Sequence, residues 1–226
     1  MVELVKKVDH LEEIKEEVVK FLSLLQSTKQ FPNTIELQAV VKYIIAMKSI
    51  VNNHEDSHYK NSLIFDIISI LHSLTGTSVR QYHYIFRSFI ENYHRSMLDL
   101  EDNDEMGVNQ LFRSMKKKYG NTVESQIIID FIANEYDESC LYVHSNTKAK
   151  TTVQMYYVDI INNDDFDEDT LSSTITKTFV ILKKMLELLI VSRPDIIENA
   201  FYRNKQKLKY LIGERLYTLM LSRIRT

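Results

Sequence analysis

The chain has 226 residues, 44% hydrophobic and 26% charged, with a formal net charge of −3 at pH 7, so it can bury a sizeable core but carries no global positive field to attract polyanions. Contact with nucleic acid must then come from a local basic patch. The single cysteine, Cys140, excludes an intramolecular disulfide and a cysteine-based zinc cluster, and four glycines with two prolines leave few tight turns, which favours long helices joined by short connections.

No apolar run approaches the roughly 20 residues that span a bilayer, and the N-terminus lacks a secretory pattern; no membrane contact is expected, and the cytoplasm is the expected compartment. The expected fold class is all-α, an antiparallel helical bundle forming one domain over 1–226. An N-terminal amphipathic helix over 3–27 aligns Leu4, Val8, Leu11, Ile14, Val18, Leu22 and Leu25. Such a stripe packs on its own domain more readily than it forms a coiled-coil dimer. Asn33 with Glu36 has the spacing of a capping box opening a second helix to about Asn52, and a third runs from about Asp56 to Leu74. Gly76 followed by Thr77-Ser78 is the start signal of a fourth, to Leu98.

Beyond it, the acidic stretch 99–105 reads as a solvated turn. Met106 to Tyr119 resumes helix and stops at Gly120. Asn121 and Glu124 signal another start, with helix from Thr122 to about Tyr136. Asp137-Glu138-Ser139 then separates off a shorter segment over 140–145. A helix is expected over 151–161, and a second acidic loop over 162–169. The last two helices are Glu168 to Ser192 and Pro194 to Arg223, with Pro194 in a first turn that its missing N–H suits.

The fourth helix carries the chemistry. Arg87, Glu91 and His94 fall at i, i+4 and i+7, which stacks a guanidinium, a carboxylate and an imidazole along one stripe. The row is either a salt-bridged structural seam or an active site. With His144 it supplies the parts for metal-independent RNA cleavage: a base for the ribose 2′-hydroxyl, an acid for the departing 5′-oxygen and a cation for the phosphorane. A basic cluster, Arg113, Lys116, Lys117 and Lys118 beside Tyr119, either tracks an RNA backbone or is a solvated last turn. His54-Glu55-Asp56-Ser57-His58 fits the His-Glu-x-x-His pattern of zinc peptidases, with His54 and His58 as the metal ligands. Its polar setting instead suits a helix N-terminus, and a zinc peptidase is the third functional reading.

Arg87, six residues and His94 fit the Arg, four to six residues, His signature of the HEPN (higher eukaryotes and prokaryotes nucleotide-binding) superfamily. Arg87-Ser88-Phe89-Ile90-Glu91 and Ser139-Cys140-Leu141-Tyr142-Val143-His144-Ser145 also resemble paired strings in its bacterial defence members. The resemblance covers about residues 60–190. It implies a helical bundle that dimerises with Arg and His facing across a two-fold axis, and a cofactor-free endoribonuclease of phage defence (abortive infection) or a toxin–antitoxin system. By that resemblance Arg87 stabilises the phosphate, His94 or His144 acts as acid or base, Glu91 orients one of them, and Ser88 and Ser145 lie at the substrate. RNA, a second copy of the chain and an antitoxin or other defence protein are the implied partners. Some members have lost catalysis and serve as binding modules, which keeps a non-catalytic interaction or regulatory module as the alternative.

Overall fold

In the computed structural model, which describes residues 10–53, 57–76, 78–144, 152–155, 157–158 and 165–224, every regular element among the described residues is helical. The elements are α1 (His10–Thr28), α2 (Thr34–Val51), α3 (His58–Thr75), α4 (Val79–Leu98), α5 (Val108–Tyr119), α6 (Val123–His144), α7 (Glu168–Ser192), α8 (Pro194–Ala200) and α9 (Lys205–Ile224). The described part of the 151–161 stretch is helical at 153–155 and 157–158. No helix among the described residues is long and apolar enough to cross a membrane.

Helix α4 is the axis of the bundle. It gives Tyr82, Phe86, Phe89 and Ile90 entirely to the core, each worth about 1.5–3 kcal/mol on burial. α3 packs along one flank, α5 and α6 along another. The direction of each neighbour follows from the pairs that meet. Tyr82 Oη lies 3.0 Å from Thr178 Oγ1 and Tyr93 Oη donates to the Met185 carbonyl at 2.8 Å, so α7 runs parallel to α4. His83 meets Ser139 while Glu91 meets Tyr136, so α6 runs antiparallel to it. α7 in turn packs against α2, α6 and α9. The described part of the N-terminal stripe joins the same core through Ile14, Val18 and Leu25.

Ser78 caps α4 as its position suggests: its Oγ accepts from the Gln81 N–H at 3.0 Å. Elsewhere tertiary partners replace the expected local bonds. Asn33 makes no capping bond; its Nδ2 reaches Glu36, the Ser172 carbonyl and Thr176, tying the start of α2 to α7. Glu124 pairs with Arg223 at 2.6 Å, and Thr122 Oγ1 accepts the Ser125 N–H instead.

Two expected boundaries are corrected. Asp137-Glu138-Ser139 lies inside a continuous α6, because Ser139 Oγ donates back to the Glu135 carbonyl at 2.9 Å and faces α4 rather than solvent. The expected final helix is instead broken. α8 ends at Ala200, Phe201 turns into the core at 1% exposure, and α9 bends at Gly213, whose φ of 79° glycine alone adopts without steric cost. The acidic loop after α4 is also more than a solvated turn. Asp99 sits at φ 55° and pairs with Arg193 at 2.6 Å, Asp102 accepts the His58 N–H at 2.9 Å, and Asp104 holds Arg95 at 2.7 Å. It latches the ends of α3, α4 and α7 together.

Candidate functional site

Between α3 and α6, one face of α4 stays open among the described residues. Arg80, Gln81 and Tyr84 are exposed along it, and Arg87, Ser88, Glu91 and Asn92 are half-buried. Helical spacing sends these residues out of the bundle while Tyr82, Phe86, Phe89 and Tyr93 point in. The open face carries two polar clusters, one toward each flanking helix.

Toward α6, Arg87 donates through a guanidinium nitrogen to Tyr136 Oη at 3.2 Å, and Tyr136 Oη donates to Glu91 Oε1 at 2.8 Å. The guanidinium carbon lies 5.3 Å from the centre of the Tyr136 ring. The phenol thus joins cation and carboxylate. Burial opposes the charge on Arg87, but Tyr136, Cys140 and Glu91 outweigh it and raise the guanidinium above its ordinary value. Burial, aided by the Glu91 charge, pushes the Tyr136 phenol up, so it remains a proton donor at neutral pH.

His94 stands apart from this pair. It is 1% exposed, its Nδ1 donates to the Ile90 carbonyl at 2.7 Å, and its ring meets Phe112 edge-on at 4.5 Å. Phe112 in turn packs at 5.6 Å against Tyr136, which places an apolar ring between the imidazole and the Arg87 cluster. Nε2 is buried with no hydrogen-bond partner among the described residues. Burial lowers the imidazole to about 4, so at pH 7 it is neutral and out of reach of a substrate.

The second cluster lies toward α3. Ser88 Oγ and Asn92 Nδ2 both donate to Asp66 Oδ2, each at 2.8 Å. Asp66 is 8% exposed, and its burial raises the carboxyl pKa against the opposing bonds from Asn92 and Ser88. Ser88 therefore serves a carboxylate of its own chain.

His83 was not singled out by the sequence. Its Nδ1 lies 3.1 Å from Ser139 Oγ, whose hydrogen is committed to Glu135, so the imidazole N–H is the donor. The ring stacks on Tyr142 at 3.9 Å and 8°. Burial, then the Lys177 charge, lowers it to about 4. The legible signal was its place four residues before Arg87, opposite the Ser139 string. Arg80 donates to the Val143 carbonyl at 2.9 Å, binding the negative end of the α6 dipole. The end of α6, where His144 lies, is thereby fixed at the level of Arg80.

The side chain of His144, the whole of Ser145, and His54 with Glu55 lie outside the described residues. His58 opens α3, its Nε2 3.4 Å from Ser62 Oγ. Among the described residues no three His, Cys, Asp or Glu side chains gather as a metal site. The basic cluster is divided. Lys116 pairs with Asp130 at 2.5 Å, and Lys118 reaches the Leu98 carbonyl at 3.3 Å and Asp99 at 3.6 Å, closing the end of α4. Arg113 and Lys117 face solvent. Comparison of the chain with protein-family models, with curated proteins and with solved structures finds no match.

Proposed function

We propose that the protein is a metal-independent endoribonuclease of HEPN type, acting as a two-fold dimer in phage defence or a toxin–antitoxin system. The observation that carries this reading is the meeting of the two sequence strings. Arg87 to Glu91 and Ser139 to His144 are some 50 residues apart in the chain but lie on packed antiparallel helices, joined by Arg87–Tyr136–Glu91, His83–Ser139 and Arg80–Val143. In this reading Arg87 offsets charge on the phosphorane, with Tyr136 and Glu91 holding its fork. His144 takes the proton-transfer role that burial denies to His94. A base removes the 2′-hydroxyl proton, the 2′-oxygen attacks phosphorus, and an acid protonates the departing 5′-oxygen, leaving a 2′,3′-cyclic phosphate and a 5′-hydroxyl.

Arg80 and Arg87 are seven residues apart, so the levels of His144 and Arg87 differ by about 10 Å along α4. In the two-fold dimer that the resemblance implies, a second copy docks on the open face of α4 and sets Arg87 of one copy opposite His144 of the other. An antitoxin or another defence protein is the partner that would restrain such an activity.

The test is cleavage of mixed RNA by purified protein in EDTA, with Arg87→Ala, His144→Ala and His94→Ala variants checked for folding by circular dichroism. The expected result is cleavage that survives chelation and falls at least about 100-fold in the Arg87 and His144 variants. No cleavage, or equal cleavage by all forms, overturns the reading. The second reading, a non-catalytic interaction module, is favoured by the inward burial of His94 and by Phe65, Ile68 and Tyr84, which are 71%, 45% and 67% exposed.

A further inference from the structure

The α3–α4 groove has features that the cleavage chemistry does not use. It is open, about 630 Å³ in volume, and among the described residues no lysine or arginine lines it. Asp66 lies in it at 8% exposure, yet both donors it receives, Ser88 and Asn92, are uncharged and both end on Oδ2. Each carboxylate oxygen accepts about two hydrogen bonds, so Oδ2 is filled and the acceptor capacity that remains for a molecule in the groove is on Oδ1. Beside it Phe65 holds its ring 71% exposed, an uncommon setting for phenylalanine. A fixed acceptor next to an open aromatic face is the pair of features by which proteins hold a splayed nucleobase.

We propose that this groove receives an unpaired guanine, with Asp66 accepting from its N1–H and N2–H and Phe65 stacking on its face. Guanine is the base that presents two adjacent N–H donors on its Watson–Crick edge. Adenine, cytosine and uracil each place an acceptor where the carboxylate would be repelled. Asn61 and Ser62 line the same groove. Ser88 directly follows Arg87, so the base would belong to the strand whose phosphate Arg87 meets, and in that respect the inference rests on the ribonuclease reading. It gives that nuclease a preference for RNA with an unpaired guanine near the cut.

The test uses the whole protein and 2′-O-methyl pentauridines, which lack the attacking hydroxyl, with guanine, inosine, adenine or uracil at the centre. Binding is followed by fluorescence anisotropy. Guanine is expected to bind about tenfold tighter than inosine, which lacks the N2 amine, or adenine. Asp66→Asn, which keeps an acceptor for Ser88, is expected to erase that preference. Phe65→Ala, at an exposed position, is expected to weaken all four oligomers about fivefold or more. Equal binding of guanine and inosine, a preference retained in Asp66→Asn, or no binding of any oligomer overturns the inference. The two readings fail separately. A guanine preference without RNA cleavage removes the nuclease and leaves the subsite; cleavage without base preference, unchanged in Asp66→Asn, does the reverse.

Discussion

His83 and His94 set how the fold responds to acid. Both are lowered to about 4 by burial, with Lys177 adding to the effect on His83, whereas the unfolded chain titrates near 6.5. Between those values the unfolded state binds more protons, so the stability the two neutral rings supply is complete above about pH 6.5 and lost as pH falls toward 4. Each contributes on the order of 3 kcal/mol across that window. Asp66 acts in the opposite sense, because its raised pKa makes the fold lose stability as it ionises with rising pH, which blunts the slope. Urea unfolding at pH 7 and pH 4.5 is expected to show a loss of several kcal/mol at the lower pH. The His83→Asn, His94→Asn double variant should be less stable at pH 7 but nearly flat between the two. An unchanged slope in that variant would assign the acid sensitivity to other groups. Tyr136 offers a second residue-level test. Tyr136→Phe keeps the ring against Phe112 and removes only the link between Arg87 and Glu91, so about 1 kcal/mol of stability should go. If that link holds the guanidinium for the phosphate, RNA cleavage should fall well beyond the change in stability.

Helix ends show what local chemistry decides and where tertiary contacts take over. Ser78 caps α4 through the Gln81 N–H, and Ser78→Ala is expected to cost about 1 kcal/mol. For a chain of this size that lowers the melting temperature by about 2–4 °C, measurable by calorimetry. The start of α4, the Pro194 entry to α8 and most helix spans were legible because the signals are local. The helix starts signalled at Asn33 and Asn121 hold to within a residue, but the capping bonds and the break at Ser139 do not, because partners far along the chain claim the side chains of Asn33, Glu124 and Ser139: Ser172 and Thr176, Arg223, and His83. The same limit explains the site. Spacing places Arg87, Glu91 and His94 on one stripe, and the Tyr136 hydroxyl, which spacing does not show, joins the first two. Periodicity gives the direction in which a side chain leaves a helix, not where along that helix the next element covers it. Phe112 of α5 covers only the C-terminal part of the stripe, so His94 is enclosed while Arg87 is not. Tyr136 and Asp66 were illegible for a related reason. Each acquires its role from a helix packed alongside its own.

At the scale of the molecule, the open face of α4 decides between the two functional readings. It carries Tyr84 exposed, and Ile68 of α3 and Leu141 of α6 add apolar surface at 45% and 65% exposure. A two-fold pairing across it brings the same patch of both copies together. Light scattering is expected to give the mass of two 26.7 kDa chains, and Tyr84→Glu, at a position 67% exposed, is expected to give one chain with an unchanged circular dichroism spectrum. Mixing inactive variants sharpens this. If Arg87 of one copy works with His144 of the other, Arg87→Ala and His144→Ala homodimers each lack a complete site. A dimer with one chain of each kind pairs the surviving Arg87 with the surviving His144 once, and has both changes in its other site. Equal mixing with free exchange makes about half of the dimers mixed, each with one of two sites intact, so about a quarter of wild-type cleavage should return. The recovery should follow the rate of subunit exchange and disappear when both variants also carry Tyr84→Glu. Restored cleavage would place the site between chains. Wild-type cleavage by the native protein with no recovery in the mixture would instead confine the chemistry to one chain, where Arg80 stands at the level of His144.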